Sequence, residues 1–223
     1  MQASAKYIAI EGVIGVGKTT LALMLSKRLN ARVALEEFED NPFLERFYEN
    51  QERYAFQTQM SFLTTRYKQQ QQLRNLDLFY EYLITDYIFD KDKIFAYLNL
   101  QDDELRLYET IVNFMDKTVT QPDLVVYLQS TPERLMQNIK KRNRQFEQMI
   151  QDSYIRDLHD AYNYFFFRYK KTPLLIINTT ELDFANSDHD FNLLYDLICN
   201  KTHSGTEYFN PEKKLYEPRS AQL

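Results

Sequence analysis

Gly12-Val13-Ile14-Gly15-Val16-Gly17-Lys18-Thr19-Thr20 is the stretch of this chain with the plainest chemical purpose. The spacing Gly12-x4-Gly17-Lys18-Thr19 is that of a P-loop. Its backbone N–H groups from Gly12 through Gly15, Val16, Gly17 and Thr20 can cradle phosphate, Lys18 can reach the β/γ-phosphates, and the Thr19 hydroxyl can ligate Mg²⁺. The chain has only 4 glycines, where average usage would give about fifteen. Gly12, Gly15 and Gly17 are three of them, which argues against a chance pattern in a loop.

Three further groups carry charge suited to the same chemistry. Glu36-Glu37 ends an apolar run, and in parallel α/β sheets ligands bind at the carboxyl ends of strands, so at least one of the pair should face the site. Asp86 ends another apolar run, where a carboxylate can steady Mg²⁺; the plainer reading is a turn residue. Lys140-Lys141-Arg142-Asn143-Arg144 is the densest basic cluster. It is either a solvated helix end or a lid whose Arg142 and Arg144 stabilise charge on a transferred phosphoryl group.

The elements that must position these groups follow from periodicity. Apolar runs predict strands at 7–10, 32–35, 79–85, 124–128 and 174–177. Helical patterns run over 20–29, a short amphipathic stretch after Asn41-Pro42, 52–74, 91–99, 103–118, a capped start at 130–133 reaching about 142, 149–169 and 188–200. The Gln69 to Gln72 run reads as a solvated helix end. Five strands alternating with helices predict an α/β fold of three layers, a mostly parallel five-stranded sheet with helices on both faces. Residues 1–200 read as one domain and 201–223 as a loosely attached tail.

Bulk properties narrow the class. The 223 residues are 44% hydrophobic, enough for a single sizeable core. A net charge of −5 gives no reason to expect a nucleic-acid partner. The single cysteine, Cys199, fits a reducing compartment. No apolar run approaches membrane-spanning length, and a strand beginning at residue 7 leaves no room for a signal peptide, so the expectation is a soluble cytoplasmic protein. The 17 Tyr and 16 Phe read as an aromatic core.

Several ordered stretches resemble the deoxyribonucleoside kinase family: the P-loop, Leu35-Glu36-Glu37-Phe38-Glu39-Asp40-Asn41-Pro42-Phe43, Phe47-Tyr48, Gln59 with Arg66, and Arg142-x-Arg144-x-x-Glu147. The resemblance covers about residues 6 to 200. It implies a P-loop kinase fold and an enzyme that uses ATP and Mg²⁺ to phosphorylate the 5′-hydroxyl of a deoxynucleoside, within a helix-packed homodimer. Glu36 matches the catalytic base, Tyr48 and Glu147 the pair holding the sugar 3′-hydroxyl, and Gln59 the residue that reads the base edge. Arg66 and Asp92 match an ion pair lining the base pocket, an arrangement suited to bases with an exocyclic amine. Deoxyadenosine is the favoured substrate, with deoxycytidine or deoxyguanosine as alternatives.

The match has one departure. Many members carry arginine directly after the third-strand acid, where this chain has Tyr87, which cannot supply a cation. The duty then falls to Lys18, Arg142, Arg144 or Mg²⁺. Two other functions share the P-loop: a nucleoside monophosphate kinase of thymidylate kinase type and a non-catalytic nucleotide-binding switch. Residues 33–45 contain none of the basic groups a monophosphate acceptor would call for, and a switch has no need of Lys18, Thr19, Glu36 and Asp86 together.

Overall fold

The computed structural model describes residues 6–73 and 80–211. Its sheet has strands β1 (Lys6–Gly12), β2 (Arg32–Ala34), β3 (Tyr82–Thr85), β4 (Leu124–Gln129), β5 (Leu174–Asn178) and β6 (Thr206–Phe209), in the order β2-β3-β1-β4-β5-β6. Every pairing is parallel, with Ile8 opposite Ile84 on one side and Leu124 on the other. Successive strand residues point to opposite faces. Since Tyr7 through Gly12 and Leu124 through Leu128 are all buried, both faces of the sheet are covered, and this is why these strands read as unbroken apolar runs.

The helices are α1 (Lys18–Leu29), α2 (Leu44–Glu49), α3 (Gln51–Leu73), α4 (Lys91–Asn99), α5 (Asp102–Asp116), α6 (Pro132–Arg142), α7 (Asp152–Phe166) and α8 (Asp188–Cys199), with a 3₁₀ turn at Gln145–Met149. Local chemistry sets several ends. Thr131 accepts a hydrogen bond from the Arg134 amide and Pro132 begins α6, so the cap is Thr131 rather than Ser130. Asn143 closes α6 in the left-handed region, which asparagine tolerates.

The aromatic core is real and selective. Phe166 stacks on Tyr127 with ring centroids 4.3 Å apart, whereas its neighbours Tyr164 and Phe167 are exposed.

Three sequence expectations need correction. Among the described residues the sheet has six strands, because residues 206–209, within the stretch read as a loose tail, pair with β5 from Leu174 opposite Thr206 to Ile177 opposite Phe209. This edge strand is short and alternates between exposed and half-buried residues, so it lacks the apolar run that signals an inner strand. The third strand begins at Tyr82; its expected first residue, Phe79, and the expected end of the long helix at residue 74 lie outside the described residues. Gln69 and Gln70 are buried, not solvated, and Gln69 donates from Nε2 to the Leu35 carbonyl at 3.1 Å. Gln69 faces the end of β2 rather than water, while Gln72 is exposed.

Candidate active site at the carboxyl ends of the strands

A cleft with a cavity volume of about 110 Å³ opens where β1, β2 and β3 end. Its lining includes Gly15, Lys18, Thr19, Glu36, Tyr48, Gln59, Arg66, Asp86, Arg142, Arg144 and Glu147, so residues from distant parts of the sequence converge on one space. Gly12 lies behind Lys18, and Asp92 is fully buried behind Gln59 and Arg66.

The P-loop geometry follows from its glycines. Gly17, at φ +100°, precedes α1, and a Cβ there would meet the Phe184 ring at 2.8 Å. Gly15, at φ +87°, approaches the Leu135 carbonyl of α6 so closely that a Cβ would stand 2.7 Å from its oxygen. Only glycine meets both demands at either place. Asn138 on α6 donates to the Gly15 carbonyl at 2.9 Å and ties the loop down. Lys18 Nζ donates to the Gly12 carbonyl at 2.7 Å and to that of Val13 at 3.3 Å. Burial, reinforced by Lys91, draws its pKa down to about 8 against the pull of Glu11 and Glu36.

Of the two carboxylates after β2, Glu36 faces the cleft and Glu37 is exposed. Glu36 Oε1 accepts from Arg66 Nε at 2.8 Å, its Oε2 from Lys91 Nζ at 2.7 Å, and its backbone N–H donates to Asp86 Oδ1 at 2.8 Å. Burial alone would raise its pKa; Lys91 and then Arg66 bring it down to about 2. The Thr19 hydroxyl donates to Asp86 Oδ2 at 2.5 Å. Both are hard oxygen groups of the kind Mg²⁺ takes. Among the described residues no group of three or more His, Cys, Asp or Glu could hold a metal. An ion at Thr19 and Asp86 would draw its other ligands from water and phosphate, as Mg²⁺ commonly does.

Arg66 and Asp92 form a buried ion pair, as the resemblance implies. Gln59 Nε2 donates to the Asp92 carbonyl at 2.9 Å and also to its carboxylate. Both partners only accept, so the amide orientation is forced and Oε1 is left as an acceptor. Tyr48 lines the same cleft. Its phenol is pushed up by burial, then by Tyr154 and Glu147.

The basic cluster divides. Arg142 donates from Nε to Glu147 Oε2 at 3.0 Å, Arg144 Nη1 stands 3.7 Å from Glu147 Oε1, and Arg144 also lies over the Phe38 ring at 4.6 Å. Lys140 and Lys141 are exposed. A second cleft, between α6 and residues 179–186, is lined by Gly15, Val16, Gly17, Thr20 and Arg142. The two clefts therefore meet at Gly15 and Arg142.

Sequence reasoning missed Glu11 and Lys91. Lys91 lies in Asp90-Lys91-Asp92-Lys93, whose alternating charge reads as a solvated helix start, yet it is buried. Its ammonium stands 2.7 Å from Glu36 and 3.8 Å from Glu11. Lys91, the first residue of α4, is thus a further cation beside the strand-end carboxylate, and Tyr87 is fully buried.

Comparison with known proteins places the chain in a family. The family model for deoxynucleoside kinase matches residues 8–203. The chain is 38% identical to the deoxyguanosine kinase of Bacillus subtilis (strain 168) over 160 residues, 71% of this chain and 77% of that protein. It is 35% identical to the deoxyadenosine kinase of Dictyostelium discoideum over 189 residues, 78% of this chain and 73% of that protein. A solved structure of deoxyadenosine kinase from M. mycoides with bound dATP superposes with a TM-score of 0.74 at 29% identity, covering 88% of this chain and 100% of that one. A glycine loop, a strand-end carboxylate, a buried Arg–Asp pair and a match along nearly the whole sequence lead to one conclusion: this chain is an enzyme of the deoxynucleoside kinase family.

Proposed function

We propose that the enzyme transfers the γ-phosphoryl group of ATP to the 5′-hydroxyl of a deoxynucleoside, with deoxyadenosine preferred. The supporting observation is the unbroken run of contacts Gln59, Asp92, Arg66, Glu36 in a cleft whose end is the P-loop lysine. The deoxynucleoside occupies this cleft and ATP the P-loop and the cleft beside α6, so that acceptor and donor meet at Gly15 and Arg142. Gln59 Oε1 accepts from the exocyclic amine of the base. Tyr48 and Glu147 hold the 3′-hydroxyl. Glu36 takes the 5′-hydroxyl proton as the oxygen's lone pair attacks the γ-phosphorus and the bond to the departing ADP breaks. Thr19 and Asp86 hold Mg²⁺, which neutralises phosphate charge when bound. Lys18, Arg142 and Arg144 stabilise the transferring group.

Deoxyguanosine is the second reading, since the relative at 38% identity carries that name. The test is ATP consumption with Mg²⁺ against each natural deoxynucleoside and its monophosphate. Fastest turnover with deoxyadenosine is expected. Turnover of a monophosphate alone would overturn the acceptor, and turnover of thymidine alone would overturn the base reading.

Homodimerisation is part of the same proposal. Tyr97 on α4 and Tyr164 on α7 are exposed and line an apolar groove between these helices, the kind of face a second copy covers. Light scattering should give twice the chain mass for the natural protein and a monomer for Tyr97→Glu/Tyr164→Glu. A cytoplasmic location fits a salvage enzyme that draws on ATP, and no helix among the described residues is long and apolar enough to cross a membrane.

A further inference from the structure

Glu36 lies two residues beyond Ala34, where β2 ends. Among the described residues β2 is an edge strand of three residues with β3 as its one neighbour, so the ladder that fixes a strand's backbone stops short of the carboxylate. The peptide between Leu35 and Glu36 is nevertheless held at both of its polar atoms. Its carbonyl accepts from Gln69 Nε2 at 3.1 Å, and its N–H donates to Asp86 Oδ1 at 2.8 Å. Asp86 directly follows β3, whereas Gln69 comes from α3, three residues after the Arg66 that donates from Nε to Glu36 Oε1 at 2.8 Å. Residues three apart on a helix are neighbours on its surface. One face of α3 therefore grips both the side chain of Glu36 and the peptide that carries it.

Gln69 holds this place at a cost. It is buried, and its Nε2 faces a carbonyl oxygen that can only accept, which fixes the amide and leaves Oε1 buried without a hydrogen-bond partner among the described residues. An apolar side chain of similar size would fill the space without stranding a polar atom. What the amide alone supplies is the N–H to Leu35.

We propose that Gln69 is a positioning residue of the transfer: by holding the Leu35 carbonyl from α3 while Asp86 holds the Glu36 N–H from the end of β3, it fixes the peptide plane and with it the direction in which the Glu36 carboxylate meets the 5′-hydroxyl. The inference rests on the role given to Glu36 above. A carboxylate that receives a proton during transfer must stand within hydrogen-bond reach of the hydroxyl, and a misplacement of about 1 Å can cost about 10²-fold. Without Gln69 the peptide keeps one tether, and the carboxylate follows the pull of Arg66 and Lys91 alone. Base reading, the work of Gln59 and Asp92, is left in place.

Gln69→Met keeps the length of the side chain and removes the donor. It should lower kcat by roughly 10- to 100-fold and move KM for the deoxynucleoside by less than about twofold. Gln70→Met makes the same change at the next buried glutamine of α3 and should leave kcat within about twofold of the natural value. In a Glu36→Gln background, Gln69→Met should cost less than about twofold further, because a residue that acts through Glu36 has nothing left to position. A natural kcat in Gln69→Met, an effect confined to KM, an equal loss in Gln70→Met, or the full loss repeated in the Glu36→Gln background overturns the inference. Should Gln69→Met not fold, Gln69→Leu is read in the same way. Glu36→Gln separates the two layers: if it stays active, the role of Glu36 fails; if it is crippled while Gln69→Met keeps the natural kcat, only the role of Gln69 fails.

Discussion

Arg66 Nη2 stands 2.7 Å from Glu36 Oε1, while Nη1 of the same guanidinium is paired with Asp92. One planar group therefore joins the carboxylate at the reacting end of the cleft to the carboxylate at its base-reading end. Base recognition and catalysis should be coupled through it. Arg66→Gln is expected to lower kcat as well as raise KM, with kcat/KM down by about 10²-fold or more, because it leaves two buried carboxylates short of a partner. Asp92→Asn should act mainly on KM and on the ranking of bases. Steady-state kinetics on two deoxynucleosides measures both, and an Arg66→Gln effect confined to KM would refute the coupling.

Lys18→Ala should abolish turnover and leave the fold intact. The ammonium hangs on two loop carbonyls, and burial depresses its pKa to about 8, so losing it removes a desolvated charge rather than core packing. Circular dichroism and a melting curve unchanged from the natural protein, alongside undetectable phosphorylation, is the expected pair of results. A folded Lys18→Ala with near-normal turnover would remove the P-loop from the mechanism.

Glu36→Gln should cost roughly 10²- to 10⁴-fold in kcat, the usual scale for a lost general base. Glu37→Gln, at an exposed position, should change kcat little. The pair also differs in acid stability. The Glu36 pKa is depressed in the folded state, from 4.5 to about 2, so its contribution is fully present above the unfolded value and is lost as pH falls through the folded one. The melting difference between natural protein and Glu36→Gln should therefore shrink between about pH 5 and pH 2, with no such trend in Glu37→Gln.

Glu11 has the opposite sign. Burial raises its pKa from 4.5 to about 7 despite Lys91 and Lys18, so the folded state holds a proton that the unfolded chain has released, and stability falls as pH rises between those values. Glu11→Gln should melt above the natural protein at pH 8, by no more than ~3 kcal/mol on the scale of that shift, and level with it below about pH 4. A variant less stable than the natural protein at pH 8 would show that Glu11 is worth more as a partner of Lys91 than it costs as a buried charge.

Arg142→Ala and Arg144→Ala should lower kcat more than they weaken deoxynucleoside binding, because a cation at the meeting of the two clefts acts on transferring charge. Both side chains are engaged with Glu147, so the affinity for a nucleoside lacking its 3′-hydroxyl should change least. Unchanged kcat in both variants would return the cluster to a solvated helix end.

Much of this was legible in the residues. The buried strands β1, β4 and β5 announce themselves as apolar runs, and the P-loop spacing fixes where β1 must end. Alternation says only that one of Glu36 and Glu37 should face the site; the choice of Glu36 rests on its match to the family's base, and the cleft lies on its side. Lys91 and Glu11 were not legible. Each sits in a sequence context that looks ordinary, an alternating charged helix start and the last polar residue of a strand, and only the tertiary fold brings their charges together. The buried Gln70 was hidden for a similar reason. It belongs to a polar run, and burial of a polar run is decided by what packs against it.

The edge strand β6 has a consequence for how the molecule is made. It is the last strand among the described residues, and β5 has no other neighbour on that side. While a chain is still emerging from the ribosome, or in one cut at Lys201, the outer row of backbone donors and acceptors on Leu174–Asn178 stays bare. A five-residue segment of Leu, Leu, Ile, Ile and Asn with an open edge is a template onto which another chain can zip. Residues 206–209 thus cover an edge of β5 that would otherwise stand open.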